Sequence, residues 1–243
     1  MSASLLPSRR RVIVTGATGG IGRAIVAALT EAGSSVAACD APGTSAEFCF
    51  DVRDGEALRS GVSAAVASLG GCDAVIANAG VVDTVHRAER FPLEAWRKDL
   101  ETNLEGVFHL MQATFDALVA SGDGRVVVIS SMAAELGLPR QVAYAAAKAG
   151  LLGMVRTLAG EWGRHGIRAN AVLPGMIDTP KSLALPEEVH ARLTDPIPLG
   201  RFGGTAEVAG VVAFLLSPAA AYMTGAMVRV DGGLGLLTRG VAG

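Results

Sequence analysis

The chain of 243 residues has few cysteines and little charge, and each shortage excludes a class of protein. Cys39, Cys49 and Cys72 lie far apart in apolar runs, with no CxxC pair and no metal-ligand spacing. This pattern argues against a disulfide framework and against a cysteine zinc site. We therefore predict buried free thiols in a reducing compartment and no bound metal.

Charged residues make up only 18% of the chain, and the formal net charge is -2. We therefore predict no surface for nucleic acid or for an anionic membrane, and we interpret Arg9-Arg10-Arg11 as a solvated lead-in to the first strand. The sequence lacks a run of about 18 apolar residues, which a membrane-spanning helix needs, and it lacks the apolar core of a signal peptide. We expect a cytoplasmic protein.

Hydrophobic residues, by contrast, make up 50% of the chain, which indicates a well-buried core. Strand-like and helix-like segments alternate, a pattern typical of an α/β fold with a parallel, doubly wound sheet and helices on both faces. We predict a single Rossmann-type domain of about seven strands over residues 11–243, after a lead-in over residues 1–10.

A glycine-rich turn follows the first predicted strand. The sequence GATGGIG separates the β-branched run Arg11–Thr15 from a segment with apolar residues at helical spacing. Such a turn lets backbone N–H groups approach a pyrophosphate at the positive end of the helix dipole. The turn residues predicted to bind a dinucleotide are Gly16, Thr18, Gly19, Gly20, Ile21 and Gly22.

The second predicted strand ends at Asp40, eighteen residues after Gly22. A carboxylate there can accept hydrogen bonds from both ribose hydroxyls of an adenosine and repels a 2'-phosphate, so it favours NAD over NADP. The glycine turn also lacks an arginine or lysine that would neutralise an extra phosphate. Alternatively, Asp40 only opens a turn.

Two further strand ends complete the predicted cofactor site. The strand over 47–50 follows a linker too short for a crossover helix, and Asp51 and Val52 after it are placed beside the adenine. Small residues follow the strand over 73–77. They let a ring or ribose pass close to the backbone, but they also suit a tight turn. They are Asn78, Ala79 and Gly80.

Tyr144 and Lys148 lie four residues apart in an alanine-rich run that we predict to be helical, so their side chains share one face. At a separation of ~5 Å and an effective dielectric of ~20, the ammonium would favour the phenolate by roughly 3 kcal/mol. The pKa of Tyr144 is then expected near ~8, which suits a general acid or base. Ser131 follows the apolar strand over 125–130, where its hydroxyl can bind the same substrate oxygen. Taken alone, the Tyr–Lys pair also fits an exposed helix face.

Two longer segments are assigned by pattern. Residues 92–121 predict one long helix with an apolar stripe wide enough for the core and a partner subunit. This helix contains Asn103, either as a hydrogen-bonded buried amide or as a polar residue on the outer face. The proline-broken segment 176–202 is interpreted as a substrate lid. Mostly apolar residues are predicted to line the substrate pocket: Met132, Leu136, Leu138, Gln141, Met176, Ile177, Leu183 and Leu185.

With these residues in order, the chain resembles the short-chain dehydrogenase/reductase family from Arg11 to Leu237. The matching motifs are TGATGGIG, NAG at Asn78–Gly80, Asn103, Ser131, YAAAK at Tyr144–Lys148, PG at Pro174-Gly175 and TGAMVRVDGG. The resemblance implies a catalytic tetrad in which Tyr144 is the general acid or base, Ser131 orients the substrate oxygen, Lys148 binds the nicotinamide ribose and Asn103 holds a water. It also implies a homotetramer built on the helices that carry Asn103 and Tyr144. Further cofactor contacts are expected at Tyr144, Lys148, Pro174, Gly175, Ile177 and Thr179.

The leading hypothesis is an NAD(H)-dependent oxidoreductase that interconverts a secondary alcohol and a ketone. Gln141-Val142-Ala143 and the VDGG motif resemble 3-oxoacyl-[acyl-carrier-protein] reductases, which implies a 3-oxoacyl or 3-hydroxyacyl substrate; sugar, polyol and cyclic-alcohol dehydrogenases share these features. The glycine turn also fits the TGxxGxxG pattern of an epimerase-like branch, but the 69 residues after Pro174 are too few for its larger C-terminal domain. Alternatives from other classes are a non-catalytic NAD sensor and a methyltransferase, neither of which needs a Tyr–Lys pair.

Overall fold

The computed structural model describes residues 9–82 and 84–236, so part of the predicted lead-in and the predicted end of the domain lie outside the described residues. Nine strands occur in the described part. They are β1 (Arg11–Thr15), β2 (Ser35–Asp40), β3 (Phe48–Cys49), β4 (Ala74–Ala77), β5 (Arg125–Ile129), β6 (Arg168–Pro174), β7 (Ile177–Asp178), β8 (Gly203–Gly204) and β9 (Met227–Val230).

Nine α-helices lie between these strands in the same part of the chain. They are α1 (Gly20–Glu31), α2 (Gly55–Leu69), α3 (Leu93–Leu100), α4 (Gly106–Ser121), α5 (Ala133–Leu136), α6 (Val142–Trp162), α7 (Pro180–Leu183), α8 (Glu187–Thr194) and α9 (Thr205–Leu216). Within the described ranges, none of them combines the length and the apolar character that crossing a membrane requires.

The main sheet has seven strands in the order β3-β2-β1-β4-β5-β6-β9, and every neighbouring pair is parallel. The predicted doubly wound α/β fold is therefore confirmed. Because β1 lies between β2 and β4, the chain changes its direction of progress across the sheet at that point. Open α/β sheets bind ligands at the carboxyl ends of the strands beside such a switch point.

The two faces of the sheet are buried by two separate hydrophobic clusters. Leu58 of α2, Leu110 of α4 and Leu151 of α6 belong to the larger cluster on one face. Ile25 of α1 and Val212 of α9 belong to the smaller cluster on the other face. Residues of the central strands alternate between the clusters, which explains why these strands read as continuous apolar runs.

The connection between β2 and β3 spans residues 41–47 and contains no helix, as the short linker predicted. Residues 93–121 are helical throughout, as the pattern over 92–121 predicted, but the helix is not regular along its whole length. Between α3 and α4 the chain forms a π-helical turn, Glu101–Glu105, which inserts an extra residue into the helical ladder. The proline-broken segment 176–202 contains β7, α7 and α8 as short pieces, and β7 pairs with β8.

The interpretation of Arg9-Arg10-Arg11 as a solvated run is wrong for Arg10. Arg10 is only 7% exposed, and its Nε donates a hydrogen bond to the carbonyl oxygen of Leu216 at 3.0 Å. Arg11 begins β1 and forms an ion pair with Asp73 at 2.5 Å. The end of α9 folds over the amino end of the sheet and covers Arg10, a contact between residues 206 positions apart.

Candidate active site

The glycine turn after β1 packs so closely that side chains are excluded from it. Gly16 has a φ of +64°, and a Cβ on it would lie 2.8 Å from the Cα of Ala79. A Cβ on Gly22 would lie 2.0 Å from the carbonyl oxygen of Gly16, so only glycine lets α1 start this close to β1. Gly19 precedes α1 without a side-chain cap, which leaves N–H groups of the first turn for an anion. The turn therefore fits the pyrophosphate of a dinucleotide.

Asp40, the last residue of β2, is held by this turn. Its Oδ2 accepts hydrogen bonds from the N–H and the hydroxyl of Thr18, at 2.8 and 2.6 Å. Its Oδ1 accepts a third hydrogen bond from the N–H of Ala41 at 2.8 Å. A carboxylate has about four acceptor positions. The structure therefore leaves Asp40 capacity for one ribose hydroxyl, where the sequence suggested two.

A cavity of about 200 Å³ extends from the glycine turn past the carboxyl ends of β2 and β3. Asp51 and Val52 line it, and so do three residues that the sequence did not single out: Phe50, Arg53 and Lys98. Arg53 forms an ion pair with Asp51 at 2.5 Å, and this hydrogen-bonded contact lowers the pKa of the Asp51 carboxyl. Arg53 follows Asp51 by two residues, a spacing at which an aspartate side chain often binds the chain just after it. This spacing could have identified Arg53 from the sequence.

Asn78 joins the ends of β1 and β4. Its Nδ2 donates to the carbonyl oxygens of Thr15 (3.1 Å) and Gly16 (3.0 Å). The hydroxyl oxygen of Thr15 in turn accepts from the N–H groups of Asn78 and Ala79, both at 3.2 Å. Thr15 was not predicted as a site residue, although a threonine at a strand end before a glycine turn is a recognisable signal. These four bonds fix the switch point around which the site is built.

Asn103 lies in the π-helical turn and is fully buried, so its interpretation as an outer-face residue is wrong. Its Oδ1 accepts from the N–H of Val81 at 3.1 Å, and its Nδ2 donates to the carbonyl oxygens of Val81 and Asp99, both at 3.0 Å. These bonds hold the chain just after Gly80. A Cβ on Gly80 would lie 2.7 Å from Oδ1 of Asn103 and 3.4 Å from Nζ of Lys148.

Ser131, Tyr144 and Lys148 meet at the carboxyl end of β5. The Ser131 hydroxyl oxygen accepts from the N–H of Ala133 at 3.1 Å, and the Ser131 side chain lies near enough to the Tyr144 hydroxyl to affect its pKa. Lys148 is 4% exposed, and its Nζ lies 5.7 Å from the centre of the Tyr144 ring. The same Nζ donates to the carbonyl oxygen of Ile129 at 2.9 Å. The structure thus brings together the three residues that the sequence predicted as neighbours.

The predicted fall in the pKa of Tyr144 is wrong in this structure. Burial raises the pKa of the Tyr144 phenol, and the Ser131 side chain offsets only part of that rise. Burial also lowers the pKa of the Lys148 ammonium, to about 8. Desolvation of both groups opposes the Coulomb attraction between them, and the Lys148 ammonium donates to a backbone carbonyl rather than to the phenol.

A second cavity, of about 230 Å³, contains this group. Its remaining lining is Ile21, Asn78, Gly80, Val82, Ile129, Ser130, Pro174, Gly175 and Ile177. Ser130 was missed by the sequence analysis; its hydroxyl donates to the carbonyl oxygen of Lys148 at 2.9 Å and so ties β5 to α6. Thr179 lies across the glycine turn, because a Cβ on Gly20 would lie 3.0 Å from the Thr179 side chain.

The predicted substrate-pocket residues are less well grouped. Met132 is 3% exposed, belongs to the larger core cluster and is not among the described residues that line the second cavity, so its role in the pocket stays a prediction. Leu136 and Leu138 are 51% and 36% exposed on the connection between Ser131 and α6. The lining of the second cavity, among described residues, includes Ile177 but not Gln141, Met176, Leu183 or Leu185, whose roles stay predictions.

Comparison with known proteins adds an independent observation. Residues 16–235 match a family model described as Enoyl-(Acyl carrier protein) reductase. The chain is 38% identical to a (3R)-3-hydroxyacyl-CoA dehydrogenase of Mus musculus, over 96% of this chain and 99% of that protein. It is 40% identical to an acetoacetyl-CoA reductase of Synechocystis sp., over 91% of this chain and 94% of that protein. The crystal structure of gox2181 has a TM-score of 0.90 and 35% identity, over 95% of this chain and 97% of that one.

Proposed function

Since the chain belongs to the short-chain dehydrogenase/reductase family and is thus an oxidoreductase, we propose that it interconverts a secondary alcohol and a ketone with Tyr144 as general acid or base. One observation carries the proposal: Ser131, Tyr144 and Lys148 line the same cavity, which also includes Ile21 of the glycine turn. A protein that only senses a nucleotide has no use for these three side chains together.

The residues of the chain define the proton chemistry. A bound nicotinamide supplies or accepts the hydride. Because burial raises the pKa of Tyr144, its phenol is protonated at neutral pH and can donate to a substrate carbonyl oxygen as negative charge develops there. Ser131 orients that oxygen. Lys148 has a pKa of about 8, so at pH 7 it is mainly protonated and can donate to a ribose hydroxyl.

The proposed substrate is a 3-oxoacyl or 3-hydroxyacyl thioester. Two of the relatives are named for acyl-CoA substrates of this kind. The connection between Ser131 and Tyr144 exposes Leu136 and Leu138, which suits an apolar acyl chain more than a sugar or polyol. A panel of 3-hydroxyacyl thioesters, cyclic alcohols and sugars tests this choice, and a higher kcat/KM for a sugar would overturn it.

The proposed cofactor is NAD(H). Asp40 supports this choice because its carboxylate faces the first cavity, whereas Arg53 and Lys98 line the same cavity and would favour an additional phosphate. Replacing Asp40→Ser should shift the ratio of kcat/KM for NADP over NAD upward by about 10-fold or more, as a lost charge repulsion predicts. A wild-type enzyme that prefers NADP would contradict this assignment.

We further propose a homotetramer assembled on α4 and α6. Phe108 of α4 is large and apolar yet 47% exposed in the isolated chain, which is typical of a residue that a partner covers. Sedimentation velocity tests the assembly, and a monomer at micromolar concentration would contradict it.

The proposed mechanism is tested by Tyr144→Phe, because the chain contains a second tyrosine as a matched control. Loss of the phenol oxygen should lower kcat by about 100- to 10,000-fold while NADH binding, followed by NADH fluorescence, is retained. Tyr222→Phe makes the same chemical change at a fully exposed position and should leave turnover unchanged. Retained activity in Tyr144→Phe would refute the role of Tyr144.

A further inference from the structure

Three arginines are buried together at the amino ends of β5 and β6, the opposite edge of the sheet from Ser131. Arg10, Arg125 and Arg168 are 7%, 5% and 9% exposed. Arg125 and Arg168 are the first residues of their strands and are paired in register across the two strands. Neighbouring strands lie about 4.8 Å apart, so two guanidinium groups start from adjacent backbone positions.

Negative groups near this cluster do not balance its charge. Asp123, with a side chain that is 59% exposed, pairs with Arg10 at 2.8 Å and also with Arg125. The last carbonyl oxygens of α9 accept hydrogen bonds from Arg10 (3.0 Å) and Arg168 (3.2 Å). A helix C-terminus carries roughly half a negative charge, so three cations face about one and a half negative charges.

Two donors in the cluster remain unused. Within the described part of the chain, the Nε atoms of Arg125 and Arg168 are buried and have no hydrogen-bond partner. Burial first, and the neighbouring Arg125 second, lower the pKa of Arg168, but only to about 10, so it stays charged at neutral pH. A buried charge without a full set of partners is unfavourable, and an anion bound in the adjoining cavity would offset the excess positive charge.

A cavity of about 540 Å³ lies beside these side chains and is large enough for a phosphate group with an organic substituent. Arg125, Arg168, Tyr222 and Thr224 are among its lining residues. The Thr224 hydroxyl oxygen accepts from the N–H of Ala169 at 3.2 Å, so its own proton is available to another acceptor. Tyr222 is fully exposed and supplies an aromatic ring on the cavity wall.

We propose that this cavity binds a phosphate group, free or in a small phosphomonoester, through Arg125, Arg168 and Thr224. Guanidinium groups are well suited to phosphate because they offer paired donors and a permanent charge. The site is distinct from the catalytic cavity, since the length of β6 separates the two by roughly 20 Å. It does not depend on the proposed oxidoreductase mechanism.

Calorimetric titration of the full chain with inorganic phosphate tests the site. The chain is saturated with dinucleotide, and sodium chloride keeps the ionic strength constant. Inorganic phosphate should bind saturably, and its affinity should fall by about 10-fold or more in Arg168→Gln, as loss of a charged partner predicts. Arg192→Gln, which removes an exposed arginine on α8, should bind as the wild type does. Tighter binding of phenyl phosphate than of inorganic phosphate would identify the ligand as an ester, and equal affinity would identify it as the free ion.

A surface variant keeps the test decisive if Arg168→Gln fails to fold. Because Tyr222 is fully exposed, Tyr222→Glu should fold and place a carboxylate at the cavity, so it should abolish phosphate binding. Tyr222→Gln is the uncharged control and should retain it. No saturable binding below about 50 mM phosphate, or equal binding in Tyr222→Glu and Tyr222→Gln, would overturn the proposal.

Discussion

A buried cation lies at each end of the strands β5 and β6, and the two cations differ in kind. At the carboxyl ends, Lys148 is 4% exposed and has the carbonyl oxygen of Ile129 as a hydrogen-bond partner of its Nζ. At the amino ends, Arg168 is 9% exposed and donates to the carbonyl oxygens of Met223 and Leu215. Both cations are bound by backbone carbonyls rather than by an ion pair of their own.

The difference lies in how each residue responds to burial. Lys148 can release its proton, and burial lowers its pKa to about 8, within reach of cellular pH. Arg168 keeps its charge at neutral pH, because its pKa falls only to about 10. The carboxyl edge is therefore suited to proton transfer, whereas the amino edge is suited to holding an anion.

The largest expected contrast comes from replacing each cation by methionine. Lys148→Met should lower kcat/KM by roughly 1,000-fold, since it removes a charged donor from the catalytic cavity. Its loss of stability should be small, because the carbonyl oxygen of Ile129 loses its donor but a costly buried charge also disappears. Arg168→Met should leave kcat/KM nearly unchanged but destabilise the fold by about 1–3 kcal/mol, because two carbonyls lose their donor. Initial rates and urea denaturation measure both effects, and parallel losses in the two variants would contradict the division of roles.

The sequence predicted those features of the site that depend on local spacing. The glycine turn, the parallel sheet and the position of Lys148 one turn after Tyr144 all follow from periodicity and from residue types close together in the chain. The burial of Arg10 could not be predicted in this way, since it depends on Leu216, 206 residues further along the chain. A charged run near a terminus gives no sign of which element will cover it.

Stability should also depend on pH through Lys148. Below its folded pKa of about 8 the residue is protonated in both states, so the full cost of burying the charge is present. Between about 8 and the ordinary value of 10.5 the unfolded chain binds more protons, so stability rises with pH. The rise amounts to at most about 3 kcal/mol.

This pH effect is isolated by subtracting the free energy of unfolding of Lys148→Met from that of the wild type at each pH. The subtraction removes the opposite contribution of Cys39 and Cys72, whose pKa values burial raises to about 12 and which therefore reduce stability above pH 9. A difference that stays flat between neutral pH and 10 would show that Lys148 does not titrate in the folded state as described.

A smaller effect is expected at Gly80, which sets the spacing of the catalytic edge. In Gly80→Ala the new Cβ would lie 2.7 Å from Oδ1 of Asn103, so Asn103 must move. A displacement of this kind should lower kcat by about 10- to 100-fold. Gly160→Ala, on α6 with no atom near the new Cβ, should keep full activity and add about 0.5–1 kcal/mol of stability. Full activity in Gly80→Ala would show that the edge tolerates such a shift.

The contact partner of Gly80 could not be predicted from the sequence. The motif Asn78-Ala79-Gly80 predicted a close backbone approach, but it did not identify what approaches. The partner is Asn103, whose orientation depends on the π-helical turn Glu101–Glu105. The error in the pKa of Tyr144 has a similar origin, because desolvation depends on the whole surroundings of a group rather than on its neighbour one helical turn away.

The smallest effect is expected at Asp123, the carboxylate of the amino edge. Burial raises the pKa of Asp123, but hydrogen bonds from Arg10 and Arg125 outweigh it and leave the pKa below its ordinary value. Asp123→Asn removes this ion pairing. Because the side chain is 59% exposed, the loss of stability should be only about 1 kcal/mol at pH 7. The loss should decline as the pH falls through the pKa of the wild-type carboxyl, because the wild type then loses the same ion pair.

The same substitution sharpens the comparison between the two edges. With one carboxylate fewer, the arginine cluster carries more uncompensated charge, so Asp123→Asn should bind phosphate several-fold more tightly than the wild type without any change in kcat. Glu207→Gln is the matched control, since it removes the ion-pair partner of Arg201 and should leave phosphate affinity unchanged. Weaker phosphate binding in Asp123→Asn would mean that the carboxylate positions the guanidinium groups rather than competing with the anion for them.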